Sequence, residues 1–379
     1  MQRTLYPFKA FYFFIYAALA FFWPFLTLYY EELGLTGGQI GILAAIPSLV
    51  TFISAPIFGI IADITHQHKR ILGISIFTTV AGVLAISAVK SFYGLIPGVL
   101  LYAFFFAPAL PLIDRSVLDI LGSNRDQYGK QRLWGAIGWG ALAPIAGLAV
   151  DRGGFQWAFY GSAILFFCLL IVSQMTNIRP VKIQVNIWQG LRKLLSEWQV
   201  IVFLGIILIG GMGLAMVHNY LFLYLSHLGA SPVMMGSALT IATISELVIM
   251  YFSDRLLKAW KAKGLIAFGL LMIAVRLIAY SLTTSPNVAL IIQLLHGPTF
   301  AAIWMAGVAY VAEIAPPGLG NTAQGLFTGV VMGLGSASGA FLGGILYQRV
   351  GFSQMFLMAG LVVFAAFIFF GWAGHQNVK

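Results

Sequence analysis

From Phe8 to Trp372 the chain is a succession of long apolar runs, parted only by short breaks carrying proline, glycine or charge. A run of about 20 apolar residues is what a helix needs to cross the hydrocarbon of a bilayer. Once there, every backbone N–H and C=O must be paired within the protein. Cutting at the breaks predicts twelve spans, at residues 8–33, 38–64, 69–89, 92–121, 130–151, 154–176, 199–228, 232–257, 263–284, 287–315, 319–348 and 351–374. The fold class expected is therefore an all-α integral membrane protein. Composition agrees, with 60% of the 379 residues hydrophobic and 8% charged, against about 25% charged in soluble domains. The N-terminal apolar run is long, aromatic-rich and without a small-residue cleavage site, so it reads as a retained first span. Cys168 lies inside a span and has no second cysteine to pair with, which argues against disulfides and structural zinc.

The net charge of +10 is a matter of topology. Lys69 and Arg70; Arg125, Lys130 and Arg132; Arg179, Lys182, Arg192 and Lys193; and Arg255, Lys258, Lys261 and Lys263 occupy alternate loops. With Arg3, Lys9 and Lys379 they put sixteen of the 21 Lys/Arg on one side, against Lys90, Arg152 and Arg349 on the other and Arg115 and Arg276 within spans. The positive-inside rule then places both termini in the cytoplasm of a cell whose inner (plasma) membrane holds the protein. No nucleic-acid partner is implied.

The organisation is two six-span halves. Residues 1–176 form the first and 199–379 the second, and the linker 177–198 is expected to end in a basic amphipathic helix, Ile187 to Trp198, at the membrane surface. The loops after spans 2 and 8 look like copies of each other, with Asp63 and Asp254 set 191 residues apart. Such a parallel repeat around a central cavity is a transporter plan. In span 11 two small-residue ladders, Gly325, Gly329 and Gly333 and then Gly335, Gly339 and Gly343, suit close helix contact. The tyrosines at 29–30 and 220–224 are expected to be interface belts or wall packing.

Few ionisable groups remain at depth: Asp114, Arg115, Glu246, Arg276, His218 and His296, with Arg132 at the start of span 5. Each charge there costs at least about 2.5–3.5 kcal/mol and so needs a partner or water. A structural ion pair would explain any one of them, whereas six over five spans describe a wet cavity. Arg132, Gly135 and Trp139 share a helical face, offering a hydrogen-bonding fork, a gap and a flat platform suited to a sugar, nucleoside or aromatic acid. An interfacial arginine with a packing tryptophan would leave the same pattern. Asp114 is expected to face the cavity beside Arg132, and Arg115, about 100° round the helix, to snorkel or meet a helix-end carbonyl.

Gly59-Ile60-Ile61-Ala62-Asp63, followed by Lys69 and Arg70, resembles the signature loop of the major facilitator superfamily. One residue is inserted before the basic pair, the usual glycine there is absent, and Met250 replaces the glycine in the second copy. The resemblance implies the major facilitator fold, with Gly59, Asp63 and Arg70 as gating residues: a close helix approach at Gly59 and a cation for Asp63. In more detail the chain is similar to the oligosaccharide:proton symporters (the lactose permease-like branch) and to nucleoside and phenylpropionate permeases. That likeness implies substrate binding by Asp114 and Arg132, eighteen residues apart, beneath Trp139. It implies further substrate contacts from His218, Asn219 and His296, and proton coupling by Glu246, Arg276 and His296, with Glu246 pairing to Arg276 in one state. The chain departs from the pattern at Thr299, where the branch carries its proton-bearing glutamate, and at Gln293, where it has a lysine.

The function expected is a secondary active transporter that takes up a small polar organic solute with protons by alternating access. The alternative is a proton-driven multidrug or metabolite exporter of the same fold, for which the 31 Phe would supply an adaptable cavity. A membrane enzyme is not expected, since no nucleophile–base set, metal cluster or phosphate-binding glycine loop is present, and no cofactor, catalytic residue or metal site is implied. The partners expected are the solute, protons and the bilayer, with the protein acting as a monomer.

Overall fold

The computed structural model describes residues 2–122, 124, 127–176, 192, 194–315 and 319–376. The expected linker helix from Ile187 falls, apart from its last residues, outside the described residues.

The helices are α1 Gln2–Glu32, α2 Gly37–Thr65, α3 His68–Ala88, α4 Phe92–Phe106, α5 Ala109–Leu121, α6 Tyr128–Gly153 and α7 Gln156–Met175. The second half supplies α8 Trp198–His227, α9 Pro232–Tyr251, α10 Ser253–Leu282, α11 Pro286–Ile292, α12 Ala302–Ile314, α13 Gly320–Thr328 and α14 Ser336–Gln376. Among the described residues eleven continuous helical stretches are long and apolar enough to cross a membrane, and the last, Thr322–Trp372, runs 51 residues. At about 1.5 Å per residue that is more than twice a hydrocarbon thickness. Gly351, at φ +81°, breaks it into two crossings, so twelve spans result.

Local chemistry sets the ends. Thr36 caps α2 with a capping box, its hydroxyl accepting from the Gln39 N–H (3.3 Å) while the Gln39 side chain accepts from the Thr36 N–H (2.9 Å). Span 4 is divided at Ala107 and Pro108 into α4 and α5, because proline lacks the N–H and clashes with the preceding turn. Span 10 is irregular in its middle: α11 passes into a 3-10 turn at Gln293–Leu295, then a π-turn at Gly297–Ala301, then α12.

One boundary differs from expectation. Span 8 was expected to reach residue 257, but α9 stops at Tyr251 and α10 starts at Ser253, with Lys261 (φ 55°, ψ 172°) interrupting α10 near its start. Asp254 thus sits in the first turn of a helix, where its charge suits the N-terminal dipole, whereas Asp63 lies in the last turn of α2. The two loops alike in sequence are unlike in structure.

By contacts the chain divides into two compact units, Met1–Ile183 with Ala230–Thr240, and Gln184–Gly229 with Ile241–Lys379. The first part of α9 joins the first unit because glycines let backbones touch: a Cβ at Gly236 would strike the Ala143 carbonyl, and one at Gly147 the Pro232 carbonyl. Thr240 Oγ1 adds a hydrogen bond to the Gly140 carbonyl at 2.7 Å. In the second unit Gly335, Gly339 and Gly343 form the seam against Gly211, Met212 and Tyr220 of α8, as small residues do where no hydrophobic force drives helices together.

A duplicated device shows the repeat more clearly than the loops do. In the first unit the Tyr29 hydroxyl donates to the last carbonyls of α3, Ser87 (3.5 Å) and Val89 (3.4 Å). In the second, Tyr224 does the same at the end of α10, to Tyr280 (2.8 Å) and Thr283 (3.0 Å). Both tyrosines donate to carbonyls at a helix end, where the intrahelical ladder runs out of N–H donors. They are buried caps and not interface belts.

Candidate functional site

The break at Pro108 starts α5 afresh and sets Asp114 and Arg115 on it with different neighbours. Asp114 Oδ1 accepts a hydrogen bond from the Tyr12 hydroxyl of α1 at 2.5 Å. Asp114 Oδ2 lies 3.6 Å from Arg132 Nη1 on α6, with 43% of the arginine side chain exposed. That is long beside the roughly 2.7–2.9 Å of a tight charge-assisted bond, so the pair is loose and open. Phenols hold the guanidinium: Nη1 donates to Tyr128 Oη at 3.1 Å and Nη2 to Tyr16 Oη at 3.2 Å. Gly135 is the reason Tyr16 reaches there, since a Cβ on it would lie 2.5 Å from the Tyr16 ring. The gap expected beside Arg132 is therefore filled by the protein's own tyrosine. Trp139, one further turn along, is half-buried.

The second unit builds a different cluster. Arg276 is 2% exposed and its two terminal nitrogens meet neutral groups, while Nε has no hydrogen-bond partner among the described residues. Nη2 donates to Gln293 Oε1 at 2.7 Å, Nη1 donates to Thr299 Oγ1 at 3.1 Å, and Nη1 lies 3.2 Å from His296 Nδ1. The Tyr280 ring, one turn on, lies 5.7 Å from the guanidinium carbon, within cation–π range. On the far side of the imidazole, His296 Nε2 is 3.6 Å from Glu246 Oε2. Arginine can only donate, so Nδ1 must accept and the imidazole proton sits on Nε2, facing the carboxylate. Glu246 thus meets Arg276 through His296, not directly as expected. Below the histidine, Phe300 stacks on it (5.6 Å, 14° between planes) and Trp304 on Phe300 (6.1 Å, 17°), a ladder of flat faces at four-residue spacing.

A third cluster lies at the end of α2. Asp63 accepts from Arg115 Nη1 at 3.1 and 3.4 Å, and His68 Nε2 is 3.2 Å away. Arg115 is the cation for Asp63. Arg70, expected near the gate, instead donates to Gln67 Oε1 at 3.3 Å. The left-handed turn at His66 (φ 56°) carries the chain back so that His68 reaches Asp63, and Arg70 falls beyond it. The close approach expected at Gly59 is also missing, since a Cβ there meets nothing within 4 Å among the described residues.

The substrate residues expected on span 7 separate. His218 is exposed, within electrostatic reach of His296 and Arg276. Asn219 is buried and donates to the Ala215 carbonyl of its own helix at 2.8 Å. So the structure brings Asp114 together with Arg132, and His296 with both Glu246 and Arg276. The residues that sequence reading missed are Tyr12, Tyr16 and Tyr128. Their signal was available: Tyr12 and Tyr16 stand four apart on α1, and Tyr128 stands four before Arg132 on α6, spacings that share a helix face.

Two arginine-centred polar clusters inside twelve apolar helices are the geometry against which relatives can be weighed. Residues 5–358 match the model of the MFS_1 like family. The chain belongs to that family. It is 26% identical over 352 residues to the maltose permease of Geobacillus stearothermophilus, covering 92% of this chain and 88% of the permease. To the probable 3-phenylpropionic acid transporter of Escherichia coli (strain K12) it is 24% identical over 371 residues, 94% of this chain and 95% of that one. Its fold superposes on the crystal structure of the nucleoside transporter NupG with a TM-score of 0.84 at 16% identity, covering 97% and 98% of the two chains. This member of the family is an integral membrane transporter of small molecules with the major facilitator fold. Both arginine clusters belong to that transporter, each complete within one unit.

Proposed function

We propose that the protein is a proton-coupled symporter that takes up a small polar organic solute (a sugar, nucleoside or aromatic acid) by alternating access. The observation that carries the reading is the contrast between the open Asp114–Arg132 pair (43% and 24% exposed arginine and aspartate side chains) and the Glu246–His296–Arg276 chain. The first offers an acceptor and a donor side by side, held in place by Tyr12, Tyr16 and Tyr128, which suits hydroxyls or ring heteroatoms of a solute. Trp139, on the same helix as Arg132, supplies an apolar face for its ring. The relatives named for maltose, 3-phenylpropionic acid and nucleosides support that range of solutes.

The second cluster suits proton handling. Glu246 is a half-buried carboxylate touched by the N–H of an imidazole whose other nitrogen is fixed by an arginine. A proton taken by Glu246 removes the charge that attracts His296 Nε2–H, and a proton released restores it. That change of state is what a coupled carrier requires. Thr299, in the place of the branch's proton-bearing glutamate, serves here as an acceptor for Arg276. We also place the protein as a monomer in the inner (plasma) membrane with both termini cytoplasmic, on the charge asymmetry of its loops. The test is uptake of labelled maltose, uridine and 3-phenylpropionate into liposomes, with and without an inward proton gradient. Accumulation of one of them only with the gradient is the expected result. Efflux driven by the opposite gradient would replace this reading with the exporter.

A further inference from the structure

We infer that Ser245 is the positioning residue of the Glu246–His296–Arg276 chain, the group that holds His296 between the acid and the arginine. Where α9 crosses the irregular part of span 10, a single hydroxyl makes two backbone bonds. Ser245 Oγ donates to the Leu294 carbonyl and accepts from the Gly297 N–H at 3.1 Å. These two groups flank His296, and both lie where the 3-10 turn passes into the π-turn Gly297–Ala301.

The crossing is as close as backbones come: a Cβ on Gly297 would strike the Ser245 carbonyl, so only glycine fits there. Ser245 is 9% exposed and buried against this segment, away from water that would compete for the two backbone groups. A second local bond braces the turn from inside, with Thr299 Oγ1 donating to the His296 carbonyl at 2.8 Å.

Ser245 and Glu246 are neighbours in the chain, so α9 grips span 10 with two adjacent side chains. The serine holds the backbone on either side of residue 296, and the glutamate meets the imidazole of residue 296 itself, 3.6 Å from Nε2. Displacing the backbone at 294–297 would swing that ring away from the carboxylate, from Arg276 Nη1 at 3.2 Å, or from both. His218, within electrostatic reach of His296, and Phe300, stacked beneath it, also face the ring. Ser245, reaching over from α9, bonds the backbone on both sides of His296 and so sets its register. This inference rests on the proposed proton-handling role of Glu246 and His296 only for its consequence; the clamp itself is a claim about position.

The test is nitrogen NMR of protein labelled with 15N-histidine in lipid, with the His296 signals assigned by their loss in His296→Gln. In the wild type, His296 is expected as one tautomer, protonated at Nε2 and bare at Nδ1, because Arg276 can only donate to Nδ1. Ser245→Ala is expected to abolish the single-tautomer signature, and Ser245→Thr, which keeps the hydroxyl, to restore it. An unchanged His296 signature in folded Ser245→Ala overturns the inference. If Ser245→Ala does not fold, Ser245→Cys, with a much weaker donor in the same place, is read against the same two outcomes. The coupling reading fails separately, by gradient-driven uptake that persists in Glu246→Gln while the His296 tautomer still depends on Ser245.

Discussion

Arg132 in the first unit and Arg276 in the second are held in opposite ways. Arg132 is open, lies against a carboxylate and leans on two phenols, whereas Arg276 is 2% exposed and meets neutral oxygens, an imidazole and the Tyr280 ring. In the first cluster the counter-charge is adjacent but loose, at 3.6 Å. In the second it stands one ring further off, on Glu246. An exposed pair exchanges partners with a solute at little cost. A buried cation fixed by dipoles resists disturbance, because any lost partner leaves an unpaired group in a dry place. On the proposed function this divides the labour, with the first unit's arginine for contact with the solute and the second unit's for holding a charge state.

The sharpest way to break this contrast is to remove each arginine and compare stability. Arg276→Ala strands Gln293, Thr299 and the Glu246 charge, and is expected to cost about 3–5 kcal/mol, the scale for breaking a buried charge network. Arg276→Lys should not rescue it, since an ammonium cannot replicate the fork. Arg132→Ala should leave thermal unfolding in detergent close to wild type. Equal destabilisation by the two alanine variants would remove the distinction.

The next largest effect is on accumulation. Glu246→Gln is expected to bind and exchange solute yet lose uptake against a gradient, measured as counterflow against gradient-driven uptake in liposomes. Concentrative uptake by Glu246→Gln would move the proton site to Asp114 and reverse the division of labour. Loss of exchange too would put Glu246 in the solute site.

Binding in the open cluster comes third. Arg132→Ala and Trp139→Ala should each weaken solute affinity about tenfold or more, the arginine because a hydrogen bond to a charged group is worth about 1.5–3 kcal/mol. Trp139→Tyr should retain more affinity than Trp139→Ala if the ring stacks. Tyr12→Phe, which takes only the donor from Asp114 Oδ1, is expected to cost less than Arg132→Ala in the same titration.

The smallest effect is expected at Asp63. Its cation, Arg115, and its second neighbour, His68, lie in the same unit, so Asp63→Asn should loosen the joint between α2, α3 and α5 while leaving solute affinity intact. Cysteine labelling from the two sides of the membrane should shift toward the cytoplasm-accessible pattern. An unchanged pattern would make this cluster purely structural.

How far the sequence could be read differs between these clusters for physical reasons. Asp114 with Arg132 was legible because both are costly in lipid and must meet something, and few candidates lie within reach. The phenols around them were not singled out, since a tyrosine in an apolar span reads equally as packing until its hydroxyl has a partner. The pairing of Arg115 with Asp63 was not legible for a related reason: the angle between neighbours on a helix excludes a shared partner but does not say which other one is chosen. Asp63 was correctly seen to need a cation, yet Arg70, close in sequence, lost to Arg115, 52 residues away, because the left-handed turn at His66 decides which side chains come back.

By itself the sequence determined the class, the twelve crossings and the short list of buried charges. A bilayer offers no hydrogen bonds to stray backbone, so length and hydropathy leave one solution. Only the tertiary structure decided who pairs with whom: that Glu246 meets Arg276 through His296, that Tyr16 fills the space left by Gly135, and that Ser245 grips the backbone around His296. Those choices turn on a few ångströms at helix crossings and on irregular turns, where the partners are far apart in the chain and no periodic pattern records them.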